Sequence, residues 1–158
     1  MKKIVMMLLV LTSISVKVNA QWFVGGSAGI GYLSDRFQMD LRPSAGYEFN
    51  DRWAAGFGLG MGVQKSEVFG VFDPFARFTC WNNGKLFVDV KAEAKIFVGS
   101  EWNAANIGLV PSLRYAFNDN WQVAGDFGLF GVQDNDGDWS PAFGVTATSV
   151  ELSLIYKF

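Results

Sequence analysis

Asp134, Asp136 and Asp138 alternate in the stretch DNDGDWSP, the spacing with which calcium loops gather carboxylates. The pattern then departs from such loops. Trp139 stands where a glycine is needed, and Val145 where a bidentate glutamate would close the set. An acidic, solvated loop accounts for the stretch better, so no metal is expected and the three aspartates remain candidates only. Acid–base catalysis of the usual kind lacks its usual agent, because the chain has no histidine. Charged residues recur instead at strand-like spacing: Asp40, Arg42, Glu48, Asp73, Arg77, Asp89, Lys91, Glu93, Lys95, Arg114, Asp126, Glu151 and Lys157. Seven are acids and six are bases. Such a balance points to paired ions and not to an acid and a base at work, since an unpaired buried charge is strongly disfavoured. No catalytic residue, no cofactor and no enzyme activity are expected.

Those charges must be held by elements, and the end of the chain shows which kind. In VELSLIYKF, Val150, Leu152, Leu154, Tyr156 and Phe158 fall on one face of an extended strand, and Glu151, Ser153, Ile155 and Lys157 on the other. Period-two alternation marks a strand whose faces meet different environments. No helical periodicity appears after residue 21. Two segments also echo each other: LRPSAGYEFNDRW (41–53) and LVPSLRYAFNDNW (109–121) agree at eight of thirteen positions. Each runs as a strand into Asn-Asp and re-emerges at a tryptophan, a hairpin turn by composition. Asn82-Asn83-Gly84-Lys85 reads as a third tight turn.

These three turns alternate with four longer, more polar connections, near residues 34–38, 64–70, 99–106 and 133–140. Cutting at all seven predicts strands over 22–33, 39–49, 53–63, 71–81, 86–97, 107–117, 121–132 and 142–158. Strands of about ten residues, tilted, cross the hydrocarbon core of a bilayer. The expected fold is all-β: an eight-stranded antiparallel up-and-down transmembrane β-barrel, with short turns at one end and long loops at the other.

The first twenty residues, MKKIVMMLLVLTSISVKVNA, carry a basic start, an apolar stretch from Ile4 to Leu11, and small residues before Gln21. That reads as a secretory signal peptide over 1–20, leaving a barrel domain over 21–158. The apolar stretch is too short for a helix that spans a bilayer. Without Lys2, Lys3 and Lys17 the remaining chain has 10 basic and 15 acidic side chains, a net charge of −5. That balance argues against nucleic acid as a partner. Cys80 is the single cysteine, so no internal disulfide framework exists.

Alternation alone leaves open whether grease or charge lines the interior, and a soluble barrel of the lipocalin kind would alternate equally well. Glycine favours charge inside. The strand over 53–63 places Gly56, Gly58, Gly60 and Gly62 on its non-apolar face, and the strand over 22–33 places Gly25, Ser27, Gly29 and Gly31 there. In a narrow lumen, small residues make room for long ones opposite. The expected opposites are Asp89, Lys91, Glu93 and Lys95 for one strand, and Gln122, Asp126 and Phe130 for the other. Tyr47, Phe49, Trp53, Tyr115, Phe117 and Trp121 cluster beside the short turns with lipid-facing parity, as an interfacial aromatic girdle would.

On the leader, the eight-strand count and the ending YKF, the chain resembles the small eight-stranded outer-membrane barrels of the OmpA/OmpX type, found in Gram-negative bacteria including Bacteroidetes. In that family a terminal aromatic, with another two residues before it, is read by the outer-membrane assembly machinery; Tyr156 and Phe158 match. The resemblance implies export to the outer membrane, and outer-membrane lipid and the assembly machinery as partners. It also implies a monomer, with the four long loops free to meet an extracellular ligand. The expected role is mainly structural or surface-interacting, the lumen being filled by paired charges. The alternative is a narrow pore for small solutes or ions.

Overall fold

The computed structural model describes residues 21–33, 36–64, 67–100, 102–135, 137–144 and 150–158. The leader over 1–20, Asp136, Val145 and the facing of Gly31 lie outside the described residues. The fold is a closed, all-antiparallel β-barrel. Its strands are β1 (Gln21–Leu33), β2 (Arg36–Glu48), β3 (Trp53–Gln64), β4 (Glu67–Asn82), β5 (Leu86–Val98), β6 (Asn103–Ala116), β7 (Trp121–Phe127), β8 (Leu129–Asn135), β9 (Asp138–Gly144) and β10 (Val150–Lys157).

Each strand pairs with its sequence neighbour from β1 to β6. The seventh stave is interrupted: β7 and β8 both pair with β6. The eighth is likewise in two pieces, β9 on β8 and β10 on β7. The ring closes where β10 meets β1, from Phe23 opposite Lys157 to Ile30 opposite Val150. Closure removes the free edges that an open sheet would present.

The three tight turns share one device. The side-chain oxygen of Asn50 accepts from the N–H groups of Arg52 and Trp53, each at 2.9 Å. Asn83 accepts from Lys85 and Leu86, and Asn118 from Asn120 and Trp121, at 2.8–3.1 Å. An asparagine carboxamide stands in for a backbone carbonyl and closes the turn locally. The repeated FND-x-W segments therefore build equivalent corners on opposite sides of the ring.

At the other end the expectation of four long loops fails. The ladders run on to Leu33–Arg36, Gln64–Glu67, Val98–Asn103 and Asn135–Asp138, leaving two to four residues between paired strand ends. Polar side chains there read as loops, but a ladder is held by backbone hydrogen bonds and tolerates polar side chains on both faces. The strands are 12 to 16 residues long from β1 to β6, instead of about ten.

Among the described residues two bulges adjust the wall. Between Thr79 and Trp81 the β4–β5 register slips by one, and Cys80 and Trp81 both point outward, with Cys80 free and exposed. The second lies at Gly128, whose φ of +80° suits glycine alone without strain. Opposite β6 the register changes from Ser112–Asp126 to Leu109–Phe130 across this residue. One extra residue reverses the facing of everything after it. Hence Phe130, expected inside, is 46% exposed on the outer wall, while Leu129 turns inward at 7%.

Candidate functional site

The outer wall is apolar and the interior is charged. Trp22, Leu41, Met61, Leu109, Leu152 and Leu154 stand exposed on the outside. Twelve of the thirteen charged residues singled out from the sequence are buried. The thirteenth, Glu48, has a side chain only 12% exposed. They divide into two groups at different heights.

The lower group lies by the short turns. Glu48 accepts from Arg77 and from Lys157, each at 2.6 Å, so one carboxylate of β2 ties β4 to β10. Arg114 donates through Nε to Asp89 at 2.8 Å and through Nη1 to Gln122 at 2.7 Å. The hydroxyl of Thr79 donates to the other oxygen of Asp89 at 2.6 Å. The Arg114 guanidinium also stacks over Phe87, 4.2 Å from the ring centre.

The upper group centres on Arg42, which is 1% exposed. Its Nη1 donates to Asp73 at 2.8 Å, its Nε faces Asp40 at 2.7 Å, and its Nη2 donates to Glu151. Lys95 bridges Glu151 and Glu93, both at 3.2 Å. Lys91 holds Glu93 at 2.8 Å and donates to Asp126. One connected set thus joins β2, β4, β5, β7 and β10 across the lumen. Its planar, five-donor hub suits arginine, which can face three carboxylates at once.

The small residues of β1 and β3 make this possible, but not as the sequence suggested. Their room is taken by side chains from neighbouring strands and not from those across the lumen. Gly58 lies between the Cβ atoms of Asp73 and Arg42, at 3.7 and 3.8 Å from where its own Cβ would be. A Cβ on Gly60 would land on the Arg42 side chain and the Leu41 carbonyl. β3 is therefore a low floor over which Arg42 of β2 reaches Asp73 of β4. Across β1, Arg42 reaches Glu151 and Glu48 reaches Lys157 in the same manner.

Apolar clusters share the interior with these ionic groups, and sequence parity missed them. Phe23, Ala54, Ala124 and Ile155, with Phe75 against them, sit inside with the ions. A second cluster of Phe69, Val71, Phe97 and Ala104, with Trp102, lies toward the extended hairpins. The signal was present: Phe23, Phe69 and Phe97 have the parity of the charged face. A cavity of about 270 Å³ occupies the upper lumen and one of about 430 Å³ the lower. A small space of about 50 Å³ lies among Arg42, Asp73, Lys91 and Asp126.

The remaining candidates have plain positions. Tyr47, Phe49, Trp53, Tyr115, Phe117 and Trp121 all point outward by the short turns, and Trp22, Phe78 and Tyr156 join them. Tyr156 packs edge-on against Phe158 with ring centres 5.3 Å apart, and the Phe158 N–H donates to the Trp22 carbonyl at 3.1 Å. Asp134 spends one oxygen on the Gly137 N–H at 3.0 Å, within the β8–β9 hairpin. Among the described residues no group of three or more histidine, cysteine, aspartate or glutamate side chains is placed to hold a metal. No protein-family model matches the chain, and no curated protein sequence matches it.

Proposed function

We propose that the chain is an integral outer-membrane β-barrel of the OmpA/OmpX kind, with a structural or surface-interaction role and no catalytic step. One observation carries this reading: the barrel is inverted, with ions buried and large apolar side chains exposed around the wall. In water such a continuous apolar surface drives association. Against lipid tails it has nothing to hide.

The dimensions support it. From Trp53 to Val63, both exposed, β3 rises ten residues. At about 3.3 Å per residue and a tilt near 40° that spans about 25 Å, the height of the apolar band on such barrels. The aromatic ring by the short turns suits the membrane–water interface. Outer-membrane lipid and the assembly machinery are the proposed partners, with Tyr156 and Phe158 as the address. The short upper hairpins give an extracellular ligand only a small surface, which shifts the weight toward the structural role. The narrow-pore reading has against it the ion pairs that cross the middle of the lumen, Arg42 with Asp73 and Lys91 with Asp126.

The test is refolding from urea into detergent or lipid vesicles, beside the same dilution into plain buffer. Folded, heat-modifiable monomer is expected only with amphiphile, and planar bilayers holding the protein should show no discrete current steps. A folded monomer in detergent-free buffer would end the membrane reading; reproducible single-channel steps would restore the pore.

A further inference from the structure

We propose that the upper chamber of the lumen binds a small organic cation, a molecule with a protonated amine on a short apolar stem. Three independent features point there, and none of them depends on the membrane assignment.

The first is a pair of acceptors with no donor. Gln38, 6% exposed, and Asn106 both line the chamber of about 270 Å³, and among the described residues neither side-chain carbonyl oxygen receives a hydrogen bond. Buried carbonyls are nearly always satisfied, because leaving one without a donor forfeits its hydration for nothing. An arginine or lysine of the chain could have served, but the cations beneath are engaged with carboxylates.

The second is the charge of the chamber floor. Among the described residues the connected upper group holds five carboxylates (Asp40, Asp73, Glu93, Asp126 and Glu151) against Arg42, Lys91 and Lys95. The lower group has the opposite imbalance, Glu48 and Asp89 against Arg77, Arg114 and Lys157. A formal surplus of two negative charges inside a low-dielectric wall calls for a counter-charge close by. Asp40, Glu93 and Glu151 line the chamber with Arg42 and Lys95, so three carboxylates face it beside two cations.

The third is the chemistry of the walls. Phe97 and Leu129, both buried, supply apolar surface above that floor. The volume is just under the range typical of drug-sized ligands, so the ligand is small. Among the described residues no metal-holding cluster exists, and the acceptors are spread around the ring. A spread of single acceptors suits the divergent N–H groups of an ammonium better than the compact shell of a bare divalent ion.

The experiment is an NMR titration of isotopically labelled protein, in whichever medium keeps it folded. The probe is n-butylammonium chloride, with n-butanol and sodium chloride as parallel arms. Saturable shifts at the side-chain amides of Gln38 and Asn106 are expected with butylammonium alone. Gln38→Leu, which keeps the bulk and removes the acceptor, should weaken binding about three- to tenfold, the equivalent of one hydrogen bond. Its urea midpoint should stay near wild type; should that variant fail to fold, Asn106→Leu serves the same purpose. Equal shifts with butanol would reduce the chamber to an apolar pocket, and equal shifts with sodium to an inorganic-ion site. Either result overturns the proposal. So does the absence of saturable shifts up to about 50 mM, beyond the range of weak specific sites, which would leave water or a bound proton to satisfy the floor.

Discussion

Ala92 and Glu93 are adjacent in β5, one exposed on the wall and the other buried beside Lys91 and Lys95. If the wall meets lipid, Ala92→Arg should lose roughly 2–4 kcal/mol of stability in vesicles, by urea unfolding. Glu93→Gln should stay within about 1 kcal/mol, because Lys91 keeps Asp126, Lys95 keeps Glu151, and the surplus of acid shrinks. Equal losses for the two would mean that the wall does not meet lipid. Arg42 differs from either. Three carboxylates depend on it, so Arg42→Gln should cost about 3–5 kcal/mol in the same assay. A loss under about 1 kcal/mol would show that the surrounding acids are satisfied by something other than the guanidinium. The side-chain pairing itself was not legible in the sequence: thirteen charges of one parity say that partners exist, not that a single arginine collects three of them.

β3 and the seventh stave show what pattern could and could not reveal. The strands, and their facing as far as the bulge at Gly128, were legible because period-two alternation survives most details of packing. The glycines of β3 were legible as room, but the occupant was not, since side chains leaning from adjacent strands leave no mark in the spacing. Gly60→Val should both press on the Leu41 carbonyl and displace the Arg42 side chain. Combined with Arg42→Gln it should be non-additive by about 1 kcal/mol or more in a double-mutant cycle; simple additivity would mean the glycine serves the backbone alone. The bulge was invisible for a different reason. Gly128 lies among Gly125 and Gly131, and nothing in the sequence says which one takes positive φ. Gly128→Ala should cost about 1–2 kcal/mol from the left-handed backbone, read as a shift in the urea midpoint. No shift would place the irregularity elsewhere in the stave. The interior phenylalanines Phe23, Phe69 and Phe97 escaped notice because parity sorts residues by face, and this lumen accepts both ions and rings.

The molecule as a whole is a ring, and its last residue sits at the seam. If Phe158 is an assembly address as well as a wall contact, its deletion should leave precursor export unchanged and deplete folded protein from the outer membrane several-fold, measured by fractionation and heat-modifiability. Normal levels of the folded form would reduce Phe158 to one more exposed ring. The seam has a further consequence, in time. β1 borders β10 from Phe23 to Ile30, and the two strands are more than a hundred residues apart in the chain. The first strand made therefore waits for the last, and no partial product is a smaller barrel; it is a curled sheet with two raw edges and a greasy back. Contacts so distant in sequence form late. Throughout that interval the unfinished sheet can pair with any other exposed strand, including that of a second copy. A sheet built this way keeps both edges exposed until the eight residues of β10 arrive.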